Sequence, residues 1–105
     1  MRWSDNDAEA IHLARLNETM PLGGIVRVIM KDGILVEGAV RGCYVGNNGN
    51  EGYSWRYRGS ITIQCLNESI HEFDLLDVAR FEDVTKERGA LYEEAGLIMF
   101  VDNLL

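Results

Sequence analysis

The spacing of apolar residues changes at Ile25, and that change divides the chain. Ahead of it, over residues 5–20, the spacing predicts a helix. Ala10, Leu13, Ala14 and Met20 fall on one broad face flanked by Ile11 and Leu16, with Asn17 near its middle. Asn6 and Glu9 stand at capping-box spacing, and Asp5 and Asp7 place negative charge by the positive end of the helix dipole. Pro21 disfavours the helical conformation at Met20, and Gly23-Gly24 lets the chain turn. His12 falls on the polar side and is expected to be solvated.

From Ile25 the pattern alternates. Residues 25–30 form a strand, Asp32-Gly33 marks a tight turn, and a longer strand runs from Ile34 to about Val45. Val26, Val28 and Met30 share one face of the first strand; Ile34, Val36 and Val40 share one face of the second. Gly38 and Gly42 inside the second strand predict sharp bending or a bulge. Residues 46–52, with three Gly and three Asn, are a loop. Residues 53–66 read as extended, with Ile61, Ile63 and Cys65 inside and Ser60, Thr62 and Gln64 outside. Two short strands follow, at 70–74 and 78–84, around a tight connection. Their inner faces are ambiguous, because Ile70 and Phe73 have opposite parity, as do Val78 and Phe81. Thr85 is placed to cap a short helix through Glu94 that Gly96 ends, and residues 97–105 are apolar enough to pack on this barrel or on a neighbour.

One helix and five closely spaced, bent strands favour a mainly β fold, an SH3-like five-stranded antiparallel barrel, over a sandwich. The chain is one domain: helix 5–20, barrel 25–84 and C-terminal extension 85–105. Its 105 residues, 47% hydrophobic and 26% charged, suit that globular reading.

Charge changes the picture more than length does. The total of −7 is uneven: residues 1–20 carry −2, residues 21–60 carry +2 and residues 61–105 carry −7. The whole chain repels a polyanion while its middle third can attract one locally. Non-specific coating of nucleic acid is disfavoured, and a focused site is left open. The N-terminus has no secretory pattern, and no apolar run is long enough to span a membrane. Cys43 and Cys65 have no partner at metal or disulfide spacing, and strand parity sends them to opposite faces. Both features predict a reducing, cytoplasmic setting.

The residues of the 26–40 segment, Val26-Arg27-Val28-Ile29-Met30-Lys31-Asp32-Gly33-Ile34-Leu35-Val36-Glu37-Gly38-Ala39-Val40, resemble the first half of the Sm signature motif. That motif has an alternating strand, an Asp-Gly turn, and a second-strand Gly followed two residues later by an aliphatic. The preceding helix and Pro21-Leu22 are also similar to Sm-like proteins, including the bacterial host-factor branch. The resemblance spans residues 6 to 84 and implies a divergent Sm-like barrel that assembles with copies of itself into a ring. The family's base-contacting Asn, ten residues after the second-strand Gly, falls on Asn48. The acidic residue three positions earlier is Val45 here, and the family's Arg-Gly or Lys-His is replaced by Leu75-Leu76.

The segment Tyr53-Ser54-Trp55-Arg56-Tyr57-Arg58 is the strongest candidate site. Alternation places Tyr53, Trp55 and Tyr57 on one side and Arg56 and Arg58 on the other. Aromatic faces and guanidinium groups are what a single strand of nucleic acid requires. The same residues also suit a barrel cover or a subunit interface. For a single-strand binder, RNA before DNA, the contact set is Arg41, Tyr44, Asn48, Trp55, Arg56, Tyr57 and Arg58, the rings stacking, Asn48 reading base edges and Arg41, Arg56 and Arg58 meeting phosphates.

No catalytic constellation, metal site or cofactor motif stands out. The 46–52 loop lacks the Lys-Ser/Thr of a phosphate loop and the alternating acids of a calcium loop. His71 alternates with Phe73, which directs it inward, as a structural residue. The acidic residues Glu82, Asp83, Glu87, Glu93 and Glu94 form a solvated face. The alternative to nucleic-acid binding is an acidic protein-interaction scaffold.

Overall fold

The computed structural model describes residues 1–99, the side chain of Tyr53 excepted. Helix α1 (Asp7–Thr19) is followed by β1 (Ile25–Met30), β2 (Leu35–Asn47), β3 (Tyr57–Gln64), β4 (Ile70–Asp74), β5 (Val78–Asp83) and helix α2 (Thr85–Glu94), with short 3-10 turns at Glu51–Tyr53 and Leu75–Asp77. The strands form one antiparallel sheet in the order β4-β3-β2-β1-β5, so β4 and β5 are its two edges. No helix among the described residues is long and apolar enough to cross a membrane.

Asn6 caps α1 by accepting from the Glu9 N–H at 2.9 Å. Glu9 does not close the box on Asn6; its carboxylate accepts from the Asp5 N–H and from Arg2 instead. The buried stripe is Leu13, Leu16 and Met20, while Ile11, Ala14 and Asn17 face solvent. The expected face was therefore rotated, and Asn17 does not interrupt the real one. His12 is not simply solvated: its Nε2 lies 2.7 Å from the Val78 carbonyl and donates to it, tying α1 to the start of β5.

The α1 stripe packs on Val26, Val28, Val40, Ile61, Ile63, Leu75, Leu76 and Val78. Leu75 and Leu76 thus lie in the core. A second, smaller core holds Ile25, Ala39, Val84 and Tyr92, with Leu97 and Ile98 against them. Residues 100–105, the rest of the expected apolar tail, lie outside the described residues. Helix α2 is tied to this core by Glu37, which accepts from Arg27 (3.3 Å), Arg88 (3.2 Å) and the Tyr92 hydroxyl (3.1 Å). Thr85 helps start α2 from its first position, where its N–H and hydroxyl donate to Asp83. Gly96, at φ 76°, ends the helix: the Gly96 N–H reaches Glu93 and the Leu97 N–H reaches Tyr92, a Schellman arrangement.

Two bulges resolve the strand parities. The β2–β3 register shifts between Val40 and Gly42, leaving Arg41 unpaired, so Val36 and Val40 and then Cys43 and Val45 all meet the core. The β1–β5 register skips Ala79, which lets Val78 and Phe81 share the inner side. On β4, Phe73 packs inward and Ile70 is 63% exposed. His71 stacks on Phe73 and approaches Ser69 Oγ at 3.1 Å, but it is exposed rather than inward. Ile34 lies before the strand in the turn and is also exposed. Ser60, expected outside, is buried.

Candidate nucleic-acid interface

The expected long third strand is interrupted. Residues 51–53 turn, 54–56 are irregular, and β3 begins only at Tyr57. Trp55 and Tyr57 therefore do not act as a strand pair: Trp55 is 57% exposed, while Tyr57 is half-buried against the core.

Asn48 organises the turn. Its Nδ2 donates to the carbonyls of Glu51 (3.1 Å) and Ser54 (2.9 Å), and its Oδ1 accepts from the N–H groups of Asn50 and Arg56, both at 3.1 Å. A carboxamide has two donor hydrogens and two acceptor lone pairs, so all four are in use. Its own N–H also reaches the Arg56 carbonyl. In this arrangement Asn48 shapes the loop and presents no amide edge to a base. Gly49, Asn50 and Gly52 hold positive φ values of 65°, 64° and 74°, which Gly takes without strain and Asn tolerates.

The N-terminal arm lies against this region, which the strand pattern did not indicate. The Ser4 N–H donates to the Tyr57 carbonyl (2.6 Å), and the Tyr57 N–H donates to Ser4 Oγ (3.0 Å). The Arg2 N–H reaches Asp74 (3.0 Å), and its guanidinium grips Glu9 through two bonds at 3.1 and 2.7 Å. That grip, with the Asp5 N–H, holds the Glu9 carboxyl down at about 2. One residue further on, the Arg58 guanidinium sits 4.5 Å from the centroid of the Trp3 ring. Trp3 and Ser4 are the residues that sequence reasoning missed. Their only signal was a Trp ahead of the helix, which carries no periodicity.

The remaining candidates take separate structural roles. Arg41, the bulged residue, donates to Gln64 (2.9 Å) and to the Leu97 carbonyl, so it tethers the C-terminal segment. Tyr44 is exposed, its ring folded over Gly46, the residue opposite Arg58 in the β2–β3 register. Trp55, Arg56 and the Arg58–Trp3 stack are the candidates that gather around one place. Among the described residues, the Arg56 guanidinium has no hydrogen-bond or ion-pair partner. Two clefts of about 330 and 380 Å³ flank it. Ser54 and Arg56 line both; Trp55, Asp5 and Asp7 add to the first, and Trp3, Asn48 and Glu51 to the second.

No family model matches the sequence, and no curated protein is similar to it. Among solved structures, a Xanthomonas campestris protein described as adopting a novel variant of the Sm-like motif is similar at a TM-score of 0.65 and 14% identity, over 78% of this chain and 91% of that one. With its helix, antiparallel sheet and edge strands in that order, the chain has a divergent Sm-like fold.

Proposed function

We propose that the protein is a non-enzymatic Sm-like module that assembles with copies of itself through its sheet edges and binds single-stranded RNA beside Trp55 and Arg56. The observation that carries the binding part is the pairing of an exposed indole with an unpartnered guanidinium on a loop already fixed by Asn48. An indole offers a stacking face and a guanidinium offers phosphate contact, and a fixed loop lowers the ordering cost of binding. Self-association is supported by β4 and β5, the two edges of the sheet, because edge strands readily pair with a further strand. Head-to-tail pairing of one edge with the other closes into a ring when the rotation allows.

A scaffold for protein partners is the second reading, favoured by a specific observation. Of the three expected phosphate contacts, Arg41 is engaged with the Leu97 carbonyl and Arg58 with Trp3. Fluorescence polarisation with labelled RNA and DNA octamers at low and moderate salt, with mass by light scattering on the same sample, separates the two. Salt-sensitive binding by an oligomer supports the RNA reading, and an oligomer that binds no octamer at low salt supports the scaffold. The double variant Trp55→Ala/Arg58→Ala is expected to weaken RNA binding and leave the mass unchanged. Unchanged binding would remove the patch from consideration.

A further inference from the structure

We infer that the two clefts around Arg56 form a two-nucleotide site that prefers guanine bases. The inference rests on the single-strand reading above and extends it to base identity.

The arrangement has the order of a polynucleotide: ring, cation, ring. Each cleft adjoins a different tryptophan, Trp55 in one and Trp3 in the other, and the two share Ser54 and Arg56. Successive bases of a single strand flank one phosphate. Two stacking faces on either side of one unpartnered guanidinium match that repeat. The Trp3 ring is steadied by Arg58 on one face, so its position does not have to be fixed at the moment of binding.

Base identity follows from the polar groups. Glu51 lines the Trp3 cleft, and its carboxylate has no hydrogen-bond or ion-pair partner among the described residues. Asp7 gives the Trp55 cleft a similar acceptor, beside Asp5, whose carboxylate lies 3.8 Å from the Arg2 guanidinium. An ionised carboxylate accepts hydrogen bonds and donates none. Guanine presents two neighbouring donors, the ring N1–H and the exocyclic amine, which a carboxylate meets with both oxygens. Uracil sets its single N–H between two carbonyl oxygens. Adenine and cytosine each set one amine beside a bare ring nitrogen, so each meets a carboxylate with one bond and one repulsion. The net charge of −7 holds overall affinity down, so preference rather than tightness is the signature.

The test compares labelled UUUUUUUU, UUUAAUUU and UUUGGUUU by polarisation at one low salt concentration. The GG octamer is expected to bind at least about tenfold tighter than the U octamer, the scale of one bidentate base contact. Glu51→Gln is expected to lower the ratio of GG-octamer to U-octamer affinity, since the amide keeps the size of the side chain but loses the acceptor-only character that the Trp3 cleft offers guanine. Trp3→Phe, which retains a ring, is expected to keep the preference; Trp3→Ala is expected to weaken all three octamers by at least about fivefold. A GG octamer that binds no tighter than the U or the AA octamer, or a GG-to-U ratio that Glu51→Gln leaves unchanged, overturns the guanine site and leaves the single-strand reading standing. Binding to none of the three overturns both.

Discussion

A side chain on Gly38 would collide with Ile63 Cγ2 and lie 2.7 Å from the Gln64 carbonyl oxygen, whereas a Cβ on Gly42 would meet nothing within 4 Å. Both glycines lie in the same bent strand, yet only the first is required by packing. Gly38→Ala is expected to destabilise the protein by about 2–3 kcal/mol through overpacking, and Gly42→Ala by less than about 0.5 kcal/mol, as at other uncrowded sites. Urea midpoints for the two variants check this. The sequence marks both as places to bend; which one lies under a neighbouring strand depends on the β2–β3 register, which local pattern does not specify. Asn48 carries the same lesson: its four partners are main-chain groups of its own loop, and no spacing rule reveals them. Tyr92 offers a titration test. Burial first, then its bond to Glu37, push its hydroxyl up to about 12 from 10. Its contribution to stability is complete below about 10 and is lost as pH rises through about 12, because the unfolded chain gives up the proton first. Absorbance titration is expected to show a late tyrosine that is absent in Tyr92→Phe.

Elements were legible where the pattern is local. The Asn6 cap, the Asp32-Gly33 turn, the Gly96 stop and the number of strands all follow from residues adjacent in sequence. What was not legible depends on contacts between distant segments. The α1 stripe rotates onto Leu13, Leu16 and Met20 because the sheet and the Leu75-Leu76 turn offer the apolar surface there. The bulges at Arg41 and Ala79 reset parity partway along β2 and β5, so an alternation rule carried through either strand misassigns its far half. The N-terminal arm is the clearest case: a segment without periodicity is held by Asp74, Glu9, Tyr57 and Arg58 from elsewhere in the chain. Its attachment is expected to depend on pH through Glu9. That carboxyl is depressed from 4.5 to about 2, so its contribution is present above about 4.5 and is lost as pH falls through about 2. In a Trp55→Phe background, Trp3 fluorescence is expected to change along that acid limb, with Glu9→Gln showing the released signal already at neutral pH. A flat acid profile in the parent would mean that Arg2 and Glu9 do not hold the arm.

For the whole molecule, the proposed assembly and the proposed RNA binding would respond to salt in opposite directions because of how charge is distributed over the sheet. Both edges belong to the acidic last third of the chain: β4 carries Glu72 and Asp74, and β5 carries Glu82 and Asp83 against Arg80, which is already bonded to Glu82 at 2.9 Å. Joining β4 of one copy to β5 of the next brings like charges together, so screening favours assembly. The proposed RNA binding beside Arg56 would release counterions and weaken as salt rises. Light scattering and polarisation on one sample, stepped from low to moderate salt, are therefore expected to show mass rising while RNA affinity falls. Ile70→Lys, at an exposed position on the β4 edge, is expected to lower the mass without a comparable loss of folded structure, since edge lysines oppose strand addition. An Ile70→Lys protein with the parental mass would place the contact elsewhere. Assembly that weakens with salt would mean that arginine–glutamate pairs across subunits hold the copies together, and the acidic edges would then be the attraction rather than the obstacle.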